Sequence, residues 1–162
     1  MTVPVRMFSW EELQALSEKV ADDLKAQDRR IDTIIGIARG GLLPALVVAF
    51  ALNIRDVHSI SIVTTTDDAP GAPKTEPRLR SSLRREDIEG RRCLLIDDVV
   101  DTGATMRTAR RALEALGAQE IVTAAMIWSR LVANEIGESH CEAEFIGTEL
   151  DIWASVPWEP VG

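Results

Sequence analysis

The segment from Leu94 to Thr105 restricts the fold more than any other part of this 162-residue chain. Leu94-Leu95-Ile96 is an unbroken apolar run, the mark of a strand buried on both faces, and such strands belong to parallel sheets covered by helices. The run passes through Asp97 and Asp98 to Asp101-Thr102-Gly103-Ala104-Thr105, a turn that opens a helix. The first N–H groups of a helix have no partner inside it, so with the hydroxyls of Thr102 and Thr105 they suit a phosphate. Carboxylates beside an anion site are anomalous unless a sugar diol or a divalent cation engages them. An acidic turn with a helix cap would explain the aspartates alone, but the whole string points to a sugar phosphate accompanied by a metal. Neither the nucleoside triphosphate loop nor the dinucleotide fingerprint occurs in the chain.

Periodicity extends the α/β pattern in both directions. Ser9-Trp10-Glu11-Glu12 reads as a capping box, and Leu13, Leu16, Val20 and Leu24 predict a helix to about Gln27. Ile31 to Ile37 reads as a strand, Ala38-Arg39-Gly40-Gly41 as a break and Leu42 to Leu52 as a helix. Strands are expected over Val57 to Thr64, Arg92 to Asp97 and Ile121 to Trp128, with a helix from Thr105 to Leu116 closed by Gly117. Strands separated by helices imply a parallel sheet with helices on both faces. Between Thr65 and Ser82, three prolines and no hydrophobic period predict a long lid or a disordered segment.

The Leu94–Thr105 string resembles the phosphoribosyl diphosphate loop of the type I phosphoribosyltransferases. That resemblance, which extends from about Ile31 to Glu159, implies a single domain over 1–162: a parallel twisted sheet flanked by helices, a mobile lid over 65–82 and a small C-terminal hood over 144–162. It implies that Asp97 and Asp98 engage the ribose hydroxyls and Mg²⁺, and that Asp101, Thr102, Gly103, Ala104 and Thr105 hold the phosphoribosyl diphosphate. The stretch Gly36 to Gly41 looks like the family's pyrophosphate loop, so Ala38, Arg39 and Gly40 become binding residues. A cis peptide between Ala38 and Arg39 is a family feature, Arg39 steadies the leaving group and Lys74 in the lid reaches the polyphosphate.

Trp153-x-x-x-Pro157-Trp158-Glu159 resembles the hood of bacterial xanthine-guanine phosphoribosyltransferase and its hypoxanthine-using relatives. There Trp153 would stack on a purine and Ala154 would offer backbone groups to its edge. An acid at Asp101 is typical of members using 6-oxopurines and implies a general base beside N7. Those members carry a base-contacting lysine after the fourth strand, but lysine occurs here only at Lys19, Lys25 and Lys74. Arg130 or Ser129 is nearest the expected place, and Arg130 is the candidate base contact.

Composition excludes several alternatives. A formal net charge of −8 opposes nucleic acid and anionic membranes, and no apolar run is long enough to span a bilayer. Cys93, Cys141, His58 and His140 lack metal-ligand spacing. Together with these exclusions, the resemblance implies a cytoplasmic, Mg²⁺-dependent transferase of purine salvage, assembled as a homo-oligomer (dimer or tetramer). A phosphoribosyl-diphosphate-sensing regulator of the same fold, or a transferase for a non-purine base, stays open.

Overall fold

The computed structural model describes residues 4–65, 74–137 and 140–159. In chain order the elements are β1 (Val5–Met7), α1 (Trp10–Ala26), β2 (Thr33–Ala38), α2 (Leu42–Leu52), β3 (Val57–Thr65) and β4 (Lys74–Arg80). They continue with α3 (Arg85–Ile88), β5 (Arg92–Val100), α4 (Ala104–Ala115), β6 (Glu120–Ser129), α5 (Leu131–Ile136), β7 (Phe145–Leu150) and β8 (Trp153–Ser155). Six strands form one sheet in the order β4-β3-β2-β5-β6-β7, parallel except at β4, while β1 and β8 pair in parallel as a separate small sheet.

Helix α1 starts where the capping box predicts: the Ser9 hydroxyl accepts the Glu12 N–H at 3.1 Å and the Glu12 carboxylate accepts the Ser9 N–H at 2.9 Å. Its buried stripe of Leu13, Ser17, Val20, Ala21 and Leu24 packs with α2 on one face of the sheet. Met106, Ala109 and Leu113 of α4 cover the other face against Ile35, Ile60, Cys93 and Leu95.

Three sequence expectations change. Residues 74–80, placed in the lid, form β4, which pairs antiparallel with β3. Its Pro77, Arg78 and Arg80 suit an edge, where a missing N–H and exposed charges are tolerated, and exposure of the side chains from 75 to 80 removes the hydrophobic period a buried strand would show. The remainder of the proposed lid, 66–73, lies outside the described residues. Residues 145–150, assigned to the hood, are the β7 edge of the main sheet. Later in the segment expected to form the hood, β8 is built on the N-terminal strand β1, with Val5 opposite Trp153 and Arg6 opposite Ala154.

The carboxyl end of β5 departs from simple alternation. Leu94 and Ile96 face α1 and α2 while Cys93 and Leu95 face α4, but past the aspartates Val99 packs on the α1 and α2 side and Val100 on the α4 side. Met126, Ile127 and Trp128 of β6 show the same one-residue slip, and the register between the strands is unchanged across it. The aspartates supply local hydrogen bonds at this point: Asp97 Oδ1 accepts the Asp98 N–H at 2.9 Å and Asp98 Oδ1 accepts the Val99 N–H at 2.7 Å.

Candidate active site

Two loops meet at the carboxyl end of the sheet, the end where open α/β sheets collect ligands. The first leaves β2 at Ala38, contains a cis peptide between Ala38 and Arg39, and enters α2 through Gly40 and Gly41. The second leaves β5 at Val100 and enters α4 through Gly103. They touch at Gly40, where a Cβ would overlap the Asp98 carboxylate. A side chain at 40 would therefore have to displace the Asp98 carboxylate for the loop after β2 to keep its place.

The second loop is a cradle of backbone N–H groups. Gly103 has φ +76°, a left-handed conformation that favours glycine, and a Cβ there would also collide with the Glu142 side chain. No side chain caps α4, and its first intrahelical bond is donated by the Arg107 N–H to Gly103. The first-turn amides of Ala104, Thr105 and Met106 thus lack partners within the helix, the arrangement that suits a phosphate. Asp101 Oδ1 accepts the Thr102 N–H, pinning the turn. Asp97, Val99, Val100, Asp101, Gly103, Thr105 and Met106 line a cavity of about 30 Å³ beneath it.

A strut unseen in the sequence supports the cradle. Arg107 Nη1 donates to the Thr102 carbonyl and to Glu142 Oε1, both at 2.9 Å. The Glu142 carbonyl in turn accepts the Thr123 hydroxyl at 2.8 Å. Local sequence gives no signal for partners 35 residues apart.

The adjacent aspartates occupy different surroundings. Asp97 is 9% exposed, and burial, followed by the charge of Asp98, raises its carboxyl well above the usual carboxylate range. Asp98 Oδ2 accepts the Trp158 Nε1–H at 3.2 Å. No cluster of three or more His, Cys, Asp or Glu side chains among the described residues would cage a metal. Two carboxylates beside a phosphate cradle nevertheless fit Mg²⁺, which is commonly held by one or two carboxylates together with substrate oxygens. A cation would also offset the cost of charge on buried Asp97.

Beyond β6, Ser129 Oγ donates to the Ile152 carbonyl at 3.3 Å, which fixes the approach to Trp153. Trp153 is half-buried, and Ala154 is buried in the ladder with β1. Arg130 lies beside this strand, but its guanidinium is engaged by Asp151 at 2.8 Å and Glu149 at 3.3 Å. That pairing, with Asn134 adding a hydrogen bond, lowers the Asp151 carboxyl below its usual range. Arg130 is consequently a neutralised strut and differs from the open cation that a lysine would present. Lys74 begins β4, and its side chain lies outside the described part of the structure. Sequence reading also missed the bond between Trp158 and Asp98, although the tryptophan belonged to a motif it had singled out. A wider cavity of about 300 Å³, lined by Lys25, Asp28, Arg29, Ile31, Leu52 and Ile54, lies at the opposite end of the sheet, where Arg29 is paired with Glu120 and Glu144.

Residues 9–159 match the family model described as phosphoribosyl transferase domain. The xanthine-guanine phosphoribosyltransferase of Ruegeria sp. (strain TM1040) is 27% identical over 160 residues, covering 94% of this chain and 84% of the relative. The transcriptional regulator GfcR of Methanococcoides burtonii is 33% identical over 114 residues, covering 70% of this chain and 53% of the regulator. The crystal structure of a purine phosphoribosyltransferase from Pyrococcus horikoshii Ot3 superposes with a TM-score of 0.76 at 24% identity, covering 98% of this chain and 95% of that one. With both ligand loops inside the matched region, this chain belongs to the phosphoribosyl transferase domain family and is a type I phosphoribosyltransferase.

Proposed function

We propose that this protein transfers the 5-phosphoribosyl group of phosphoribosyl diphosphate to a 6-oxopurine (xanthine, guanine or hypoxanthine), with Mg²⁺ and release of pyrophosphate, as a cytoplasmic enzyme of purine salvage. The observation that supports this reading is the contact of Gly40, in the loop after β2, with Asp98; on this reading the loop takes the leaving group and Asp98 the ribose. In the reaction the bond from ribose C1′ to the pyrophosphate oxygen breaks and a bond from C1′ to a purine ring nitrogen forms. Asp101 takes up the proton on the N7 side, which makes the opposite ring nitrogen the better nucleophile. Ala38, Arg39 and Gly40 receive the charge leaving with pyrophosphate, while Thr102, Gly103, Ala104 and Thr105 hold the 5′-phosphate. Asp97 and Asp98 orient the ribose hydroxyls and would be the protein's share of the Mg²⁺ site. When bound, Mg²⁺ supplies neutralisation of the pyrophosphate oxygens. Trp153 offers the base a stacking face and Ala154 backbone groups; Arg130 or Ser129 is the candidate to read the exocyclic oxygen, which would require Arg130 to leave its partners Glu149 and Asp151, and Lys74 is the candidate contact to the polyphosphate.

The active assembly is a homo-oligomer in which a second copy covers α2. Leu43, Leu46 and Phe50 form an outward stripe at helical spacing, Leu42 extends it and Phe50 is 81% exposed. Val57 and Val63 of β3 continue the patch, because Val57 shares a sheet face with Ile34, which packs under α2. These six side chains expose on the order of 500 Å², more than scattered surface residues require. Residues 40–54 carry no charged side chain, so two copies of a chain with net charge −8 can approach there without like-charge contact at the patch centre.

Kinship with a transcriptional regulator favours a second reading, a sensor that binds phosphoribosyl diphosphate without turnover. Incubation with labelled phosphoribosyl diphosphate, Mg²⁺ and a panel of bases separates the two. Nucleotide formed with xanthine, guanine or hypoxanthine supports the enzyme. Tight binding with no product on any base supports the sensor, and product only with another base overturns the purine assignment.

A further inference from the structure

We propose that Trp158 is a positioning residue for Asp98, using its indole N–H to fix the carboxylate that faces the ribose. The proposal rests on the reading of Asp98 given above. Three parts of the molecule converge on this one side chain. Its own strand supplies the Val99 N–H to Oδ1 at 2.7 Å, the turn after β8 supplies the Trp158 Nε1–H to Oδ2 at 3.2 Å, and the backbone of Gly40 lies against the carboxylate. Trp158 is itself anchored. Its ring meets that of Trp10, the first residue of α1, at 5.5 Å and 53°, and it packs on the cluster formed by α1 and α2.

The chemistry of the donor matters more than its bulk. An arginine or lysine here would hold Asp98 by cancelling its charge and would compete with sugar hydroxyls or a cation for the same oxygens. An indole N–H is a neutral donor with one proton and no acceptor, so it can fix the orientation of the carboxylate and leave its charge available. Packing alone would not require an N–H at this edge of the ring, because a partly exposed indole can donate to water. The bond also ties the hood to the end of β5, 60 residues away in the chain. Trp153, five positions before Trp158, is then held in fixed relation to the ribose side of the site.

Two measurements test the assignment, one of them independent of ligand. In a ¹⁵N–¹H spectrum the chain has four indole resonances, and the one absent from Trp158→Phe belongs to Trp158. Asp98→Asn is expected to shift that resonance and leave those of Trp128 and Trp153 in place. An unmoved Trp158 resonance overturns the hydrogen bond whatever the protein binds. In calorimetry, Trp158→Phe keeps the ring against Trp10 and is expected to weaken phosphoribosyl diphosphate with Mg²⁺ about tenfold, with unchanged stoichiometry and melting temperature. Wild-type affinity in Trp158→Phe reduces the residue to packing and overturns the proposal. If Asp98→Asn shifts the indole resonance but the wild type binds no phosphoribosyl diphosphate, the functional reading fails and the positioning role falls with it.

Discussion

The β5–α4 loop and the C-terminal β8 segment, which the proposed function joins in one site, are encoded in opposite ways. The loop is written in consecutive residues: apolar strand, two aspartates, a left-handed glycine and an uncapped helix start. The hood is assembled from both ends of the chain, β8 lying on β1, Trp158 meeting Trp10 and the indole reaching Asp98. On the proposed reading, a local phosphate grip depends on backbone geometry and is hard to alter except at its glycines. A hood made of distant segments has separable side chains, which leaves room to change the base without disturbing the grip.

Substitutions can break that comparison, and the largest effect is expected where the regions meet in the reaction. Asp101→Asn should lower turnover by about 10²–10⁴-fold, the range for loss of a general base, and leave phosphoribosyl diphosphate affinity near wild type. Equal losses in both, measured by steady-state kinetics beside calorimetry, would return Asp101 to a structural role in the loop. Gly40→Ala forces a methyl group against the Asp98 carboxylate and should cost roughly 1–3 kcal/mol of phosphoribosyl diphosphate binding, as overpacking does. Trp153→Ala should reverse the pattern, with base binding weakened by roughly 1–3 kcal/mol and phosphoribosyl diphosphate affinity unchanged. If both ligands weaken together in Trp153→Ala, hood and grip are not separable.

Smaller effects test the scaffold beneath both regions. Phe50→Glu places a charge in the uncharged α2 face and should shift the assembly toward monomer in light scattering, with the fold intact by circular dichroism. An unchanged mass would move the interface elsewhere. At the foot of the sheet, Asp32 accepts three hydrogen bonds from Arg92, at 2.8, 3.0 and 2.8 Å, which lower its carboxyl to about 2 from 3.8. A lowered folded-state value gives stability that is present above the unfolded-state value and lost as pH falls through the folded one. Asp32→Asn should therefore melt slightly below wild type at neutral pH, with the difference closing between pH 4 and 2. A constant difference across that window would exclude the ion pair as its source.

What could be read from the sequence follows the range of the interactions. Helix α1 was legible because Ser9 and Glu12 cap it within one turn, and β5 because no polar residue interrupts Cys93 to Ile96. The Ala38–Arg39 cis peptide, expected from the family, is present. Strand β4 was illegible because a strand exposed on both faces carries no alternation, and Pro77 reads as a loop signal until the edge position is known. Strands β1 and β8 span three residues each, too few for a period, and form only through each other. The Trp158–Asp98 bond, the Arg107–Glu142 strut and the contact of Gly40 with Asp98 join residues 35 to 60 positions apart. Such pairs exist only after the fold has brought these separate segments together around the end of β5. Arg130 shows the converse: its place was legible, but its engagement by Glu149 and Asp151 depends on β7 lying beside β6.

Calorimetric titration of phosphoribosyl diphosphate with Mg²⁺ into the folded chain tests the central claim most directly. Saturable heat with one site per chain, weakened in Gly40→Ala, is the result predicted. Absence of saturable heat from correctly folded protein, or full affinity in Gly40→Ala, would contradict a site built from these two loops.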